Sequence, residues 1–255
     1  MKAVAETLPA TLDDRIVAVR RMAIVPALNE AQTIASVVAE IRAVDPGLEI
    51  LVIDDGSTDD TLAEARRAGA LVARLPYNVG IGGAVQTGYQ YARDHGFQVA
   101  VQVDGDGQHD PADLAQLLEP ISADRADMVV GSRFLEAGEY RPSFARKLGI
   151  RLLARVVSLL VRQRMTDPTS GFRAVNRRGI VLFAAEYPHD YPEAEANVVA
   201  YRRRLRVVEV PVAMRERAAG RSSINAPSSL YYMVKVTLAL FITLFRRYSS
   251  AVEER

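Results

Sequence analysis

The chain has 255 residues, 49% hydrophobic and 25% charged, which is enough to bury the core of one large or two small globular domains. It contains no cysteine, which excludes a disulfide scaffold, a thiolate metal site and a cysteine nucleophile, and favours a reducing compartment. The net charge is +1, yet residues 1–124 are net acidic and the remainder is net basic. This asymmetry suits a divalent cation in the first half and phosphate or anionic lipid in the second, with uneven solvated charge as the alternative.

The N-terminal residues 1–21 carry charges throughout and lack an apolar run, so we expect no signal peptide and a cytoplasmic location. From residue 22, short β-branched runs alternate with helical stretches. Strands are predicted over 22–27, 49–55, 70–75, 97–104 and 126–132, and helices over 31–44, 59–69 and 79–96. Such repetition predicts an α/β domain over residues 22–133 with a mostly parallel sheet covered by helices. Arginine-rich helices, turn signals at 167–171 and a late strand near 207–212 follow.

Polar side chains follow three of the predicted strands. Asn29 and Glu30 follow the first, Asp55 ends the second, and Asp104 ends the fourth with Asp106 two residues beyond it. In open α/β sheets the ligand crevice lies at the carboxyl ends of the strands. We therefore expect these groups to converge at one edge of the sheet.

Asp104 and Asp106 stand one residue apart at a strand end, where they can share Mg²⁺ or Mn²⁺ with a diphosphate. The side-chain oxygen of Gln108 can add a neutral ligand. The cation would act as a Lewis acid that neutralises a leaving diphosphate. An Asp-x-Asp pair alone also occurs in ordinary turns, but the other two acidic strand ends favour the metal interpretation.

Two other segments of the first half are interpreted as ligand contacts. The turn that follows the second strand does not need the side chain of Asp55. Its carboxylate can therefore accept N–H groups from a nucleobase edge. The glycine cluster at 80–83 lacks the Gly-Lys-Ser/Thr ending of a phosphate-binding P-loop. Gly83 is therefore predicted to allow close approach between its helix and the sheet or the donor backbone.

Taken together, these motifs resemble glycosyltransferase family 2, and within it the dolichyl-phosphate mannosyltransferase and polyprenyl-phosphate glycosyltransferase branch. The resemblance covers roughly residues 22–224. It is carried by Pro-Ala-Leu-Asn-Glu at 26–30, Ile-Asp-Asp-Gly-Ser-Thr-Asp at 53–59, Asp-Gly-Asp-Gly-Gln-His at 104–109, Gly-Ser-Arg at 131–133 and Asp-Pro-Thr-Ser-Gly-Phe-Arg at 167–173. The resemblance implies a GT-A type, Rossmann-like fold and an inverting transfer from a UDP- or GDP-sugar.

The resemblance also assigns residues by position. The nucleoside would be held by Pro26, Ala27, Asn29, Glu30 and Asp55, and the metal by Asp104, Asp106 and Gln108. Arg133 would contact phosphate, while Asp167 and Arg173 belong to an acceptor-side motif. Arg217 and Ser222 lie in a segment that resembles the loop closing over donor and metal in relatives. The chain departs from relatives at four positions. Relatives often have Tyr where Leu28 stands, Ala or Leu where Gly105 and Gly107 stand, and Lys where Ser223 stands.

The second half carries a basic amphipathic helix. Lys147, Arg151 and Arg155 recur at four-residue spacing. An apolar stripe runs beside them through Phe144, Leu148, Leu152, Val156 and Leu159. Such a helix can lie on an anionic membrane surface, or pack on its own sheet with solvated arginines, and the resemblance favours the membrane.

The apolar run 230–245 is shorter than the about 20 residues that a membrane span needs. An interfacial helix or a docking site for a small membrane-protein partner is favoured over a core helix or a homo-oligomer contact. The predicted organisation is therefore an N-terminal extension over 1–21, a GT-A domain over 22–224 and a C-terminal helix over 225–255. Within that domain, residues 22–133 bind nucleotide-sugar and metal, and residues 134–224 form the acceptor side.

The expected reaction is transfer to a polyprenyl phosphate at the inner face of the cell membrane, by a peripherally associated enzyme with no nucleic-acid partner. A lipid phosphate is already ionised, so arginines that position it can replace a general base. A soluble or glycan hydroxyl acceptor would instead need a carboxylate such as Glu193, Glu195 or Asp167. A sugar nucleotidyltransferase is a further alternative, although its Gly-x-Gly-x-Arg signature is absent near residue 26.

Overall fold

The computed structural model describes residues 19–135 and 144–215, together with residue 235. Arg217, Ser222 and the other residues of the expected closing loop beyond 215 lie outside the described residues. The same holds for most of the N-terminal extension and, apart from residue 235, for the predicted C-terminal helix.

Seven strands and seven α-helices are present in the described part of the chain. The strands are β1 (Arg21–Ala27), β2 (Leu48–Asp54), β3 (Leu71–Arg74), β4 (Val99–Gln102), β5 (Met128–Ser132), β6 (Arg173–Asn176) and β7 (Val207–Pro211). The helices are α1 (Ile34–Val44), α2 (Thr61–Arg67), α3 (Gly80–Asp94), α4 (Leu114–Ser122), α5 (Phe144–Val161), α6 (Arg177–Ala185) and α7 (Pro192–Arg202). Every element predicted over residues 22–132 is confirmed in type, and so is the late strand.

The strands form one mixed sheet in the order β3-β2-β1-β4-β6-β5-β7. The pairs β1–β2, β1–β4, β2–β3 and β5–β7 are parallel, which confirms the expected mostly parallel sheet. Strand β6 was not predicted, and it inserts antiparallel between β4 and β5. Its four residues place Arg173 opposite Gln102, at the same edge as the polar strand ends.

Helices cover both faces of the sheet. In β1, Met22 and Ile24 face a core layer that includes α3, α5, α6 and α7, while Ala23 and Val25 face a layer that includes α1 and α4. Burial on both faces explains the nearly continuous apolar runs in the central strands. The sheet thereby holds the loops at its carboxyl ends in a rigid frame.

Helix α5 packs on this core mainly with residues outside the predicted stripe, of which Val156 is partly buried against the core. Leu153, Val157 and Val161 are buried, whereas Leu152 is 53% exposed and Leu159 is 78% exposed. The exposed stripe runs beside three exposed basic residues, Lys147, Arg151 and Arg155. None of the helices in the described residues combines the length and the apolar character needed to cross a bilayer.

Asp127 precedes β5 and connects it to β7 and β6. Its carboxylate accepts hydrogen bonds from the backbone and guanidinium of Arg206 and from Nδ2 of Asn176, and it pairs with Arg178 at 3.0 Å. Burial disfavours the ionised carboxylate, but the hydrogen bonds from Arg206 and Asn176 outweigh it and lower the pKa of Asp127 to about 2. The ionised form therefore stabilises the fold.

We expect Asp127→Asn to lower the free energy of unfolding at neutral pH by about 1–3 kcal/mol, because it removes charge-assisted hydrogen bonds. A folded-state pKa below the unfolded value contributes stability above the unfolded pKa, which is about 3.8. That contribution is lost as pH falls from about 4 towards 2. Urea midpoints measured across this range should show the gap between variant and parent narrowing. A gap that stays constant contradicts the assignment.

Candidate active site

A cleft of about 610 Å³ opens at the carboxyl ends of β1, β2 and β4 and borders the start of α3. It is lined by Pro26, Ala27, Leu28, Asn29, Glu30, Asp55, Asn78, Gly80, Ile81, Ala84, Asp104, Gly105 and Asp106. The predicted nucleoside contacts and both predicted metal carboxylates therefore lie in one cavity. Leu28 and Ile81, each 39% exposed, supply its apolar surface.

Asn29 joins the loop after β1 to the loop after β2. It adopts a left-handed backbone conformation with φ of 55°, which asparagine tolerates better than most residues. Its backbone N–H donates to Oγ of Ser57 at 3.0 Å, and its side-chain oxygen accepts from the backbone of Thr58 at 2.9 Å. These bonds hold the two loops together as one wall of the cleft.

Asp55 positions the start of α3. Its two carboxylate oxygens accept backbone N–H groups from Val79 at 2.8 Å and from Gly80 at 3.0 Å. The side chain lines the cleft while the residue is only 4% exposed. The structure therefore gives Asp55 a structural task, and its contact with a nucleobase stays a prediction.

The glycines of α3 allow close packing. A Cβ on Gly82 would lie 2.4 Å from the carbonyl oxygen of Pro188, and one on Gly83 would lie 2.7 Å from Cγ2 of Val79. Gly82 thus lets α3 approach the segment between α6 and α7, and Gly83 lets it pack against Val79, which directly precedes the helix. Gly83 itself does not line the cleft, so its donor contact stays a prediction.

The loop after β4 carries the predicted metal ligands. Asp104 and Asp106 both line the cleft, and Oδ1 of Asp106 accepts the backbone N–H of Gln108 at 3.0 Å. No group of three or more His, Asp or Glu residues that could hold an ion is found in the described part of the chain. The predicted metal ligands are two carboxylates and one amide oxygen. Such oxygen ligands fit a hard cation whose other ligands are diphosphate oxygens and water.

Arg133 forms a buried ion pair with Asp167. Its Nε and Nη2 lie 2.5 Å and 2.7 Å from the two carboxylate oxygens, and Nη2 also donates to Oγ1 of Thr169 at 2.8 Å. The side chain of Arg133 is 7% exposed and that of Asp167 is 0% exposed. The pair fastens the loop at 167–171 to the end of β5, and neither residue lines the cleft in this conformation.

Arg173 is buried behind the loop after β4, with no exposed surface. Its Nη2 donates to the backbone oxygens of Ser170 and Glu193, while Nε and Nη1 have no hydrogen-bond partner among the residues that the structure describes. Burial raises the pKa of Glu193, an effect that the nearby positive charge of Arg173 opposes. The predicted substrate contact of Arg173 would require this region to open.

Several residues near the site carried no predicted role. Asn78 and Ile81, which follow β3 in the chain, line the cleft. Asn78 is a polar residue after a strand, so the pattern that indicated Asn29 and Asp55 also applies to it. Gln102 and His109 contact Asp104, and the side chain of His109 stacks on Phe172 with ring centroids 4.7 Å apart. No periodicity in the sequence indicates these contacts, since they depend on how the loop after β4 folds back.

A mixed sheet of this order, with paired carboxylates in a cleft at its strand ends, defines a GT-A type protein. The chain belongs to glycosyltransferase family 2, because the model of that family, "Glycosyl transferase family 2", matches residues 22–181. It is accordingly a glycosyltransferase.

Three relatives of known name are similar over most of their length. Polyprenol monophosphomannose synthase of Mycolicibacterium smegmatis is 31% identical over 85% of this chain and 85% of its own. The UDP-N-acetylglucosamine–dolichyl-phosphate N-acetylglucosaminyltransferase of Methanococcus voltae is 31% identical over 74% of this chain and 83% of its own. Undecaprenyl-phosphate mannosyltransferase of Micrococcus luteus is 30% identical over 81% and 88%.

Solved structures agree on the fold. Glucosyl-3-phosphoglycerate synthase of Mycobacterium tuberculosis in complex with phosphoglyceric acid superposes with a TM-score of 0.70 at 24% identity, covering 91% of this chain and 82% of that one. The same enzyme with Mn²⁺, UDP-glucose and phosphoglyceric acid gives 0.69 at 23% identity, covering 92% and 82%. At these identities the likeness establishes the GT-A fold alone.

Proposed function

We propose that the chain transfers a sugar from a UDP- or GDP-sugar to the phosphate of a polyprenyl lipid, with inversion at the anomeric carbon. The observation that carries this proposal is that Asp104 and Asp106 line the same cleft as Asn29 and Asp55. One cavity can therefore take a nucleoside at one end and a metal-bound diphosphate at the other. In this proposal residues 22–133 bind donor and metal, and residues 134–224 form the acceptor side.

In the proposed mechanism the strand-end loops bind the donor. The wall that Asn29 and Asp55 hold in place receives the nucleoside, with Leu28 and Ile81 as apolar contacts for the base. Asp104, Asp106 and Gln108 would hold Mg²⁺ or Mn²⁺, which would supply Lewis-acid neutralisation of the leaving diphosphate. The acceptor oxygen approaches the anomeric carbon from the face opposite the diphosphate, which gives inversion.

The names of two relatives contain dolichyl phosphate or undecaprenyl phosphate, and that of the third contains polyprenol monophosphomannose, which supports a polyprenyl-type phosphate as the acceptor class. Such a phosphate is already ionised near neutral pH, so the reaction needs orientation of the nucleophile rather than removal of its proton. Arg133 and Arg173 are the cations proposed to act on the acceptor side. Their burial implies that the acceptor binds after movement of the loop at 167–171 or contacts other atoms of that loop.

One observation favours a hydroxyl acceptor as the second candidate. The pKa of Glu193 is raised by burial, and a carboxylate of raised pKa is a better proton acceptor for an attacking hydroxyl. Glu193 lies close enough to Asp104, Arg133 and Arg173 for their charges to affect its ionisation.

The experiment supplies radiolabelled UDP- and GDP-sugars with polyprenyl phosphate or with free sugars, each with and without Mn²⁺. Label that moves into the lipid fraction only with Mn²⁺ supports the proposal. Transfer to free sugars alone, lost in Glu193→Gln, favours the hydroxyl acceptor. Release of pyrophosphate from a nucleoside triphosphate and a sugar phosphate would contradict both the lipid and the hydroxyl acceptor. It would identify the reaction as nucleotidyl transfer.

The exposed side of α5 is proposed as the surface that meets the membrane. It combines Leu148, Leu152 and Leu159, which are 59%, 53% and 78% exposed, with basic residues whose charge complements anionic headgroups. This surface supports the proposed peripheral location at the inner face of the cell membrane, because a lipid acceptor must be reached from the bilayer edge. A small membrane-protein partner or a second copy of the chain is proposed as a contact of residues 225–255, which apart from residue 235 lie outside the described residues.

We expect the double variant Leu152→Ser, Leu159→Ser to bind anionic vesicles about tenfold or more weakly, because two apolar side chains no longer enter the interface. Vesicle co-sedimentation measures this, with the melting temperature recorded in parallel. Leu71→Ser, at a β3 leucine that is 46% exposed, is the matched control and should bind as the parent does. Equal binding by the double variant would assign the membrane contact to another surface.

A further inference from the structure

Gln102, the last residue of β4, points at the first predicted metal ligand. It is 2% exposed, and its Nε2 donates to Oδ1 of Asp104 at 3.0 Å. Because an ionised carboxylate can only accept hydrogen bonds, the amide must present its NH₂ group to Asp104. The free rotation of the Asp104 carboxylate is therefore restricted from the strand side.

His109 contacts the same residue from the loop side. Its Nδ1 accepts the backbone N–H of Asp104 at 3.0 Å, so in the neutral ring the proton resides on Nε2, which lies 3.6 Å from Oδ2 of Asp104. The ring is 7% exposed and stacks on Phe172 with an interplanar angle of 10°. The strand thus binds one carboxylate oxygen of Asp104, while the loop binds its backbone N–H and places a ring nitrogen near the other oxygen, beyond hydrogen-bond distance.

We propose that Gln102 and His109 are positioning residues that hold the carboxylate of Asp104 in the orientation needed for the cation and the diphosphate. This inference rests on the proposed function of the same cleft. It assigns the two side chains no contact with substrate. Their effect is to reduce the rearrangement that Asp104 undergoes when the metal-bound diphosphate enters.

Gln102 is itself held in place. Its Oε1 faces the hydroxyl of Tyr187 at 3.5 Å, and Tyr187 packs against Tyr89 and Phe183 in the core between α3 and α6. Burial raises the pKa of Tyr187 well above its usual value, so the phenol keeps its proton and acts as the donor. The amide orientation is therefore set from both ends.

Gly171 provides the remaining constraint. A Cβ at this position would lie 3.0 Å from Nε2 of Gln102 and 3.2 Å from Oδ2 of Asp104. The backbone of the loop at 167–171 consequently packs against one side of the amide–carboxylate contact, while the side chain of Asp104 stays 34% exposed towards the cleft.

The test uses Gln102→Met, which removes the amide at similar volume, and His109→Phe, which keeps the stacking on Phe172 but removes both ring nitrogens. Gln116→Met, the same change at an exposed position of α4, is the control. Isothermal titration with Mn²⁺ in the presence of UDP, and separately GDP, measures metal affinity. Titration of each nucleotide without metal and the melting temperature are recorded for every variant.

We expect Gln102→Met and His109→Phe each to raise the Mn²⁺ dissociation constant about 10–100-fold, as loss of outer-shell hydrogen bonds does elsewhere. Metal-free nucleotide binding and the control should be unchanged. Parent-like Mn²⁺ affinity in a folded Gln102→Met or His109→Phe variant overturns the inference for that residue. A parent chain that binds Mn²⁺ with nucleotide but transfers no sugar to polyprenyl phosphate refutes the proposed acceptor and leaves the positioning result standing.

Discussion

Asp106→Ala is expected to lower kcat for sugar transfer at least about 100-fold, because a Lewis acid is worth several kcal/mol of charge stabilisation in the transition state. Asp106 lines the cleft beside Asp104, and its Oδ1 also accepts the backbone N–H of Gln108. The alanine variant would therefore remove one of the three proposed metal ligands and release the backbone N–H of another, Gln108. Steady-state transfer at saturating Mn²⁺ measures the loss.

Asp94→Asn is the matched control for that loss, since Asp94 lies at the end of α3 with its side chain 56% exposed. It should transfer sugar at the parent rate. A Mn²⁺ titration separates weaker metal binding, which excess Mn²⁺ corrects, from a lower rate of the metal-bound enzyme. Full activity of Asp106→Ala would refute the metal-assisted mechanism.

The ion pair between Arg133 and Asp167 is expected to contribute strongly to the stability of the fold. Removing one partner leaves the other as an uncompensated buried charge, and Arg133→Met or Asp167→Leu should each lower the free energy of unfolding by about 3–5 kcal/mol. The pair is bidentate and both side chains are almost completely buried. Oδ1 of Asp167 also accepts from Thr169, so the loop at 167–171 loses its anchor as well.

Urea unfolding of the two single variants and of the double variant Arg133→Met, Asp167→Leu measures this effect. The double variant should be less destabilised than the sum of the two single changes, because no unpaired charge remains in it. Additive losses would show that the two side chains act independently. The transfer rate of the double variant then tests whether Arg133 also contacts phosphate, separately from its structural role.

Apart from α4, which was not predicted, the order of elements in the first half was predictable because each is specified locally. Apolar runs such as those of β1 and β2 are buried on both faces, and the polar residues after them begin the loops. Parallel strands bring their carboxyl ends to one edge, so the sequence alone was enough to place Asn29, Asp55 and Asp104 at a common cleft.

Strand β6 could not be predicted in the same way. Its four residues follow a turn-rich segment and begin with Arg173, and only the gap between β4 and β5 makes them a strand. The buried face of α5 could not be predicted from the sequence either. Both Leu152 and Leu153 fit a helix, and the contacts of the sheet and α7 decide which of them is buried.

The sequence by itself determined the fold class, the family and the strand ends that carry the chemistry, because periodicity and short motifs depend on residues close together in the chain. Only the tertiary structure decided which side chains hold those groups in place. The contact of Gln102 with Asp104, the pairing of Arg133 with Asp167 and the burial of Arg173 depend on how a sheet and its loops pack in space. Hydrogen bonds and burial between distant segments leave no local pattern.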